Sequence, residues 1–151
     1  MKLGIVSDTH TGTIEAVPAV IRKAFADADI IVHAGDFTQK AVLDGLRTMG
    51  EVKAVCGNMD SMDLKAILPE RDVFEAAGKK IGLTHGSGTP RGIAERVKSQ
   101  FSGVDIIIFG HSHEPCNRYI QGILLLNPGQ AKNSFALLTI DDGIRVNILR
   151  V

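Results

Sequence analysis

The chain has 151 residues, a length that suits one domain (residues 1–151) with a single sizeable core. Hydrophobic residues make up 44% and charged residues 23%, an ordinary soluble composition that argues against a disordered or fibrous chain. The 17 basic and 17 acidic residues balance, so no global field draws the chain to nucleic acid or to an anionic membrane.

In chain order, residues 3–6 are predicted as a buried strand, reaching Ser7-Asp8 too soon for a signal-peptide core. Residues 13–28 follow as a helix, with Val17, Val20, Ile21, Ala24 and Phe25 on its apolar face. A strand at 30–33, a helix at 38–49 and a strand at 52–55 complete a strand-helix-strand rhythm, the pattern of βαβ units in a parallel sheet. The rhythm then changes. Residues 72–76 and 80–84 flank Ala77-Gly78-Lys79 as a hairpin, and a helix at 92–101 leads to a strong strand at 104–109. Strands at 118–120, 123–126, 135–140 and 144–149 follow, separated by the turn signals Gln121-Gly122, Asn127-Pro128-Gly129 and Asp141-Asp142-Gly143. The expected class is α/β, two βαβ halves closed by antiparallel strands. Cys56 and Cys116 have no C-x-x-C partner, and no apolar run is long enough to span a bilayer. A soluble cytoplasmic protein with no membrane partner is therefore expected.

Five apolar runs end in a group able to bind a metal, or in a glycine followed by one. They are Ile5-Val6-Ser7-Asp8-Thr9-His10, Val32-His33-Ala34-Gly35-Asp36, Val55-Cys56-Gly57-Asn58, Gly82-Leu83-Thr84-His85-Gly86 and Ile108-Phe109-Gly110-His111-Ser112-His113. Carboxyl ends of strands in an α/β sheet lie along one edge, where ligands bind. Asp8, His10, Asp36, Asn58, His85, His111 and His113 are thus expected to converge. Carboxylate and imidazole donors suit Mn, Fe, Co, Ni and Zn, and the lack of thiolate argues against a closed structural zinc site. Seven ligands are too many for one ion and suit a pair roughly 3.5–4 Å apart. The glycines at 35, 57 and 110 are expected to let the backbone turn sharply and approach the ions. A single strand-end His or Asp is usually a capping, packing or turn residue, but five in series are not independent accidents.

The ordered series D-x-H, G-D, G-N, H-G and G-H-x-H resembles the calcineurin-like metallophosphoesterase superfamily. With Asn127-Pro128-Gly129 before the last strands, the chain most resembles the small YfcE-type phosphodiesterases. The resemblance implies a four-layer α/β/β/α sandwich of two mixed sheets flanked by helices. It further implies a first metal on Asp8, His10, Asp36 and His113, and a second on Asp36, Asn58, His85 and His111. Asp36 would bridge the two, as would a shared water or hydroxide that attacks the phosphorus of a small phosphodiester. Asp36, Asn58 and His111 are the residues expected to carry catalysis, two divalent ions (foremost Mn) the cofactors. Family habit implies a homo-oligomer, a dimer or higher.

One position departs from the pattern. Many members read G-N-H-[DE], with that His proposed to protonate the leaving group; this chain has Gly57-Asn58-Met59-Asp60. A thioether cannot supply the proton, so diesters with stable leaving anions should be cleaved best. Asp60 is read as a hydrogen-bond partner of a ligating group or a water, or as a turn residue; both readings stand. His33 is expected to be a satisfied core histidine, Cys56 a small buried hydrophobe, and Arg91 and Arg96 a solvated helix face. Among rival readings, Vps29, a retromer scaffold, resembles the same fold, so the fold alone does not prove catalysis. A metallo-β-lactamase-like hydrolase would require Asp and His soon after His113, where Glu114-Pro115-Cys116 stands. A nuclease of the superfamily is disfavoured by a minimal neutral chain.

Overall fold

Most strands of this chain carry apolar residues on both faces, so each sheet has to be covered twice. The computed structural model, which describes residues 1–151, meets that demand with two five-stranded mixed sheets packed face to face and helices outside each. The first sheet runs β10 (Ile144–Arg150), β9 (Ser134–Ile140), β1 (Lys2–Val6), β2 (Ile30–His33), β3 (Val52–Ala54). The second runs β4 (Arg71–Ala76), β5 (Lys79–Thr84), β6 (Ile106–Ile108), β8 (Ile123–Asn127), β7 (Cys116–Ile120). The β1–β2–β3 pairs are parallel and so are β5–β6–β8, while β9, β10, β4 and β7 close the edges in antiparallel pairs.

Alternation along the strands sorts the core into three layers of side chains. Leu3, Ile5, Val32, Ile106, Ile108 and Leu126 meet between the sheets. Their neighbours in sequence point the other way. Ile31 and Val6 pack on α1 (Ala19–Phe25) and α2 (Lys40–Arg47), while Ile107 and Phe109 pack on α4 (Ile93–Lys98). Full burial of each such Ile or Leu stabilises the fold by about 1.5–3 kcal/mol.

Three expectations are corrected. The helix predicted at 13–28 is a 3₁₀ turn at Ile14–Ala16 followed by α1, because Pro18 has no N–H and its ring disfavours a helical Val17, which is extended at ψ 133°. Val17, Ile21 and Phe25 are buried as expected, but Val20 is 43% exposed. A short helix, α3 (Met62–Ile67), lies outside the predicted elements; Leu64 is its sole buried residue, too little to make an apolar stripe. Strand β6 is three residues long and not six, its flanks being spent on the turn from α4 and on the His111 loop.

Candidate metal centre

Five of the seven candidate ligands, Asp8, His10, Asp36, His85 and His113, come within reach of one another, although not along the edge of one sheet. Asp8, His10, Asp36 and Asn58 follow β1, β2 and β3 of the first sheet; His85, His111 and His113 follow β5 and β6 of the second. Backbone bonds tie the loops within each sheet: Asp8 N–H donates to Gly35 O (3.0 Å), His10 N–H to Asp36 O (3.2 Å) and Gly110 N–H to His85 O (3.1 Å). Two further bonds stitch one sheet to the other. His85 Nδ1–H donates to Ala34 O at 2.7 Å, and the His111 N–H to Asp8 Oδ2 at 3.3 Å.

These bonds divide the work of each polar group. Asp8 Oδ2 also accepts from Ser7 Oγ (2.6 Å), which leaves Oδ1 free. Asp36 Oδ1 accepts from the Met59 N–H (2.8 Å), which leaves Oδ2 free. The donor bond from His85 Nδ1 leaves an acceptor lone pair on Nε2 when the ring is neutral. The free atoms face one another: His85 Nε2 lies 3.3 Å from Asp36 Oδ2 and 3.9 Å from Asp8 Oδ1. His10 Nε2 is 3.7 Å from Asp36 Oδ2 and 3.8 Å from Asp8 Oδ1, and His113 Nε2 is 3.3 Å from Asp8 Oδ1. Asp8 Oδ1, His10 Nε2 and His85 Nε2 are buried with no hydrogen-bond partner. Leaving three such atoms unpaired is costly, and a shared divalent cation is what would satisfy them together. Asp8, His10 and His113 form one cluster able to hold an ion; Asp8, Asp36 and His85 form another.

The backbone is strained to achieve this. Asp8, His10, Asp36, His111 and His113 all have φ between 45° and 66°, a left-handed conformation costing roughly 1–2 kcal/mol each. Two of the three glycines matter differently from expectation. Gly57 and Gly110 have ordinary φ, but a Cβ at Gly57 would collide with Asp36 Oδ1, and one at Gly110 with Ser7 Oγ. They make room for the carboxylates and their braces.

The remaining candidates are placed as follows. The ring of His111 lies 5.2 Å from that of His85, with Nε2 bonded to Gly88 O at 2.9 Å, so Nδ1 is its free nitrogen. Asn58 is exposed and lines a cleft beside His85. His33 is fully buried, stacked on Phe37; its Nδ1 accepts from the Gly35 N–H (3.1 Å), so Nε2–H donates to Thr9 Oγ1 (3.1 Å). Cys56 is buried, and burial pushes its thiol up, as for an inert hydrophobe. Arg96 is consumed by the carbonyls of Ser87, Thr89 and Arg91, and so braces the loop that carries Gly88.

Two supporting residues carry more than the sequence alone assigns them. Asp60, open between two roles in the sequence, is buried and accepts from the amides of Gly57 (2.7 Å), Thr38 (2.8 Å) and Asp36 (3.1 Å), gripping two ligand loops. Asn127, in the sequence only part of a turn signal, is fully buried. It donates to Gly110 O (2.9 Å) and Ser112 Oγ (3.1 Å) and accepts from the Gly129 N–H (2.8 Å). Its signal is an amide side chain ending an otherwise apolar strand.

Electrostatics follow from this crowding. Burial pushes the Asp36 carboxyl up, but His85, the Met59 amide and His10 outweigh it and leave the group below its ordinary value. Burial lowers the His85 imidazole, yet Asp36, Asp8 and the Ala34 carbonyl raise it above the usual range. A cation at Nε2 therefore competes with a proton. His33 is held well below its ordinary value, first by burial and then by the charge of His85. At His33 the unfolded chain therefore binds more protons than the folded one below about pH 6.5, so this residue lowers stability as pH falls, by up to about 1.4 kcal/mol per unit. His85 acts oppositely, its contribution being full below the unfolded value and lost as pH rises through its folded one. Comparing wild type with His33→Gln isolates the first effect. Denaturant midpoints taken at pH 7, 6 and 5 should fall less steeply in the variant; parallel slopes would mean that folded His33 takes up a proton.

A family profile described as the calcineurin-like phosphoesterase superfamily domain matches residues 1–143. The chain belongs to that superfamily. As a member, it is 34% identical to a probable metallophosphoesterase, MJ0623, of Methanocaldococcus jannaschii, over 100% of this chain and 82% of the relative. It is 30% identical to phosphodiesterase MJ0936 of the same organism, over 86% of this chain and 84% of that one. Among solved structures it is similar to wild-type Vps29 of Entamoeba histolytica complexed with Zn²⁺, with TM-score 0.77 and 26% identity over 99% of both chains. A single mutant of the same Vps29 gives TM-score 0.78 and 26% identity, over 100% of this chain and 99% of that one. The two mixed sheets and flanking helices are the metallophosphoesterase fold. No helix is long and apolar enough to cross a membrane.

Proposed function

We propose that this chain is a dinuclear metal-dependent phosphodiesterase acting on a small phosphodiester. The observation that carries the reading is the set of buried, unpartnered donor atoms, Asp8 Oδ1, His10 Nε2 and His85 Nε2, facing one space. Family membership and the relative named as a phosphodiesterase support it. Asp8, His10, Asp36 and His113 would hold one ion; Asp36, Asn58, His85 and His111 the other, with Asp36 between them. When bound, the two cations supply Lewis-acid stabilisation of the phosphoryl oxygens and lower the pKa of a water nucleophile. Mn fits the oxygen and nitrogen donors, as do Ni, Fe, Co and Zn.

The chain's own residues supply positioning. Asp8 and Asp36 each present one oxygen because the other is tied down, and the Ala34 carbonyl aims His85. Asn58, which lines the cleft, and His111, whose ring stands 5.2 Å from that of His85, would orient the phosphoryl group. Met59 leaves the position of a proton donor empty: its amide holds Asp36, while its side chain is turned out, 58% exposed. A leaving group must then depart as a stable anion, which favours aryl and other acidic diesters over alkyl monoesters.

The test is turnover of bis(p-nitrophenyl) phosphate against p-nitrophenyl phosphate, on metal-stripped protein with each divalent metal restored. Metal-dependent cleavage favouring the diester is expected. A second reading, a metal-binding scaffold without turnover, is favoured by the likeness to Vps29. Absence of cleavage with every metal, on protein shown to hold two ions, would establish it over the first.

A further inference from the structure

A cleft of about 620 Å³ opens on the Asn58–His85 side of the centre, a volume within the range of small-molecule sites. Only two of its twelve lining residues are hydrophobic, so most of the side chains that meet an entering substituent carry polar groups. Its walls are rich in donors. Lys65 Nζ donates to Asn58 O at 3.0 Å, which holds the loop and leaves two ammonium protons for a ligand. Arg71 opens β4 with its Cα paired to Thr84, the residue before His85, and lines the same cleft. The surface ion pairs Lys40–Asp44, Lys53–Glu51, Arg118–Glu95 and Arg145–Asp141 involve neither Lys65 nor Arg71. Thr84 Oγ1 occupies Gln100 Oε1 (3.2 Å), which leaves the Gln100 amide N–H groups unspent. Against these stands one carboxylate in the lining, Glu70.

We infer that this cleft is the subsite for one substituent of the diester, and that it selects a polar, nucleoside-sized substituent bearing a phosphate of its own. The inference rests on the phosphodiesterase reading. An unpaired guanidinium offers the forked donors that a phosphate monoester accepts, and the net positive lining excludes a cationic group.

Calorimetric titration of the metal-loaded protein with adenosine 3′,5′-bisphosphate and with adenosine 5′-monophosphate tests it. The bisphosphate should bind about tenfold more tightly, the worth of one charged hydrogen-bonded contact. Arg71→Ala should collapse that ratio towards one, and Glu70→Gln should widen it. Equal affinities in the wild type, or a ratio unchanged in Arg71→Ala, would overturn the subsite. If bis(p-nitrophenyl) phosphate is turned over while the two nucleotides bind equally, the subsite alone fails. If there is neither turnover nor nucleotide binding, the phosphodiesterase reading fails and the subsite with it.

Discussion

Asp36→Asn should lower phosphodiester turnover on the order of 10³-fold or more while leaving the fold in place. Asn keeps the volume of Asp and an oxygen acceptor for the Met59 N–H, so the loop between β2 and α2 retains its anchor. What is lost is the charge on Oδ2, the atom that faces both His10 and His85 at 3.7 and 3.3 Å. An amide oxygen is a poor bridge between two cations, and an amide N–H₂ turned to that side would repel them. Metal analysis should show fewer than two ions per chain, and the thermal transition of the stripped variant should stay close to that of the stripped wild type. Full metal occupancy with full activity would remove Asp36 from the centre. Loss of the folded transition would show that the residue serves stability first.

Asp60→Ala is expected to cost about 3–5 kcal/mol of stability. Three backbone amides, those of Asp36, Thr38 and Gly57, would lose the carboxylate acceptor that they share in a buried place. Two of the three belong to the strained stretch in which Asp36 and Thr38 hold φ of 60° and 76°. With that stretch released, Asp36 would no longer be presented to His85, so metal affinity should fall about 10–100-fold as well. Denaturant unfolding paired with a metal titration reads both. A loss of stability with unchanged metal affinity would reduce Asp60 to a turn residue.

Much of this architecture is legible in the sequence because the signals are local. Five candidate ligands sit two residues beyond a short apolar run, with His10 and His113 two residues further on, and runs of that length bounded by turn residues read as buried strands. Helix limits are less legible where one residue overrides a pattern. Val17, Ile21 and Phe25 keep helical spacing, but Pro18 breaks the segment into a 3₁₀ turn and a shorter helix. Met62–Ile67 shows too few buried positions for its helix to be seen at all. The core roles of His33 and Cys56 follow from their place inside apolar runs; that of Asn127 does not, because its three bonds reach residues that only folding brings near.

The sequence by itself determined the kind of chemistry: Asp, His and Asn at five strand ends, in an order that the superfamily shares, with Met59 where a proton donor often stands. Only the tertiary structure decided which of these ends lie in which of the two facing sheets, and which oxygen of each carboxylate is free. Those choices rest on bonds between Asp36 and Asp60, Ala34 and His85, and Asp8 and His111, which span 24, 51 and 103 residues of chain. Strand-end identity is a property of neighbours along the chain. The aim of a donor atom is a property of packing, and it exists only once both sheets have closed on their common core.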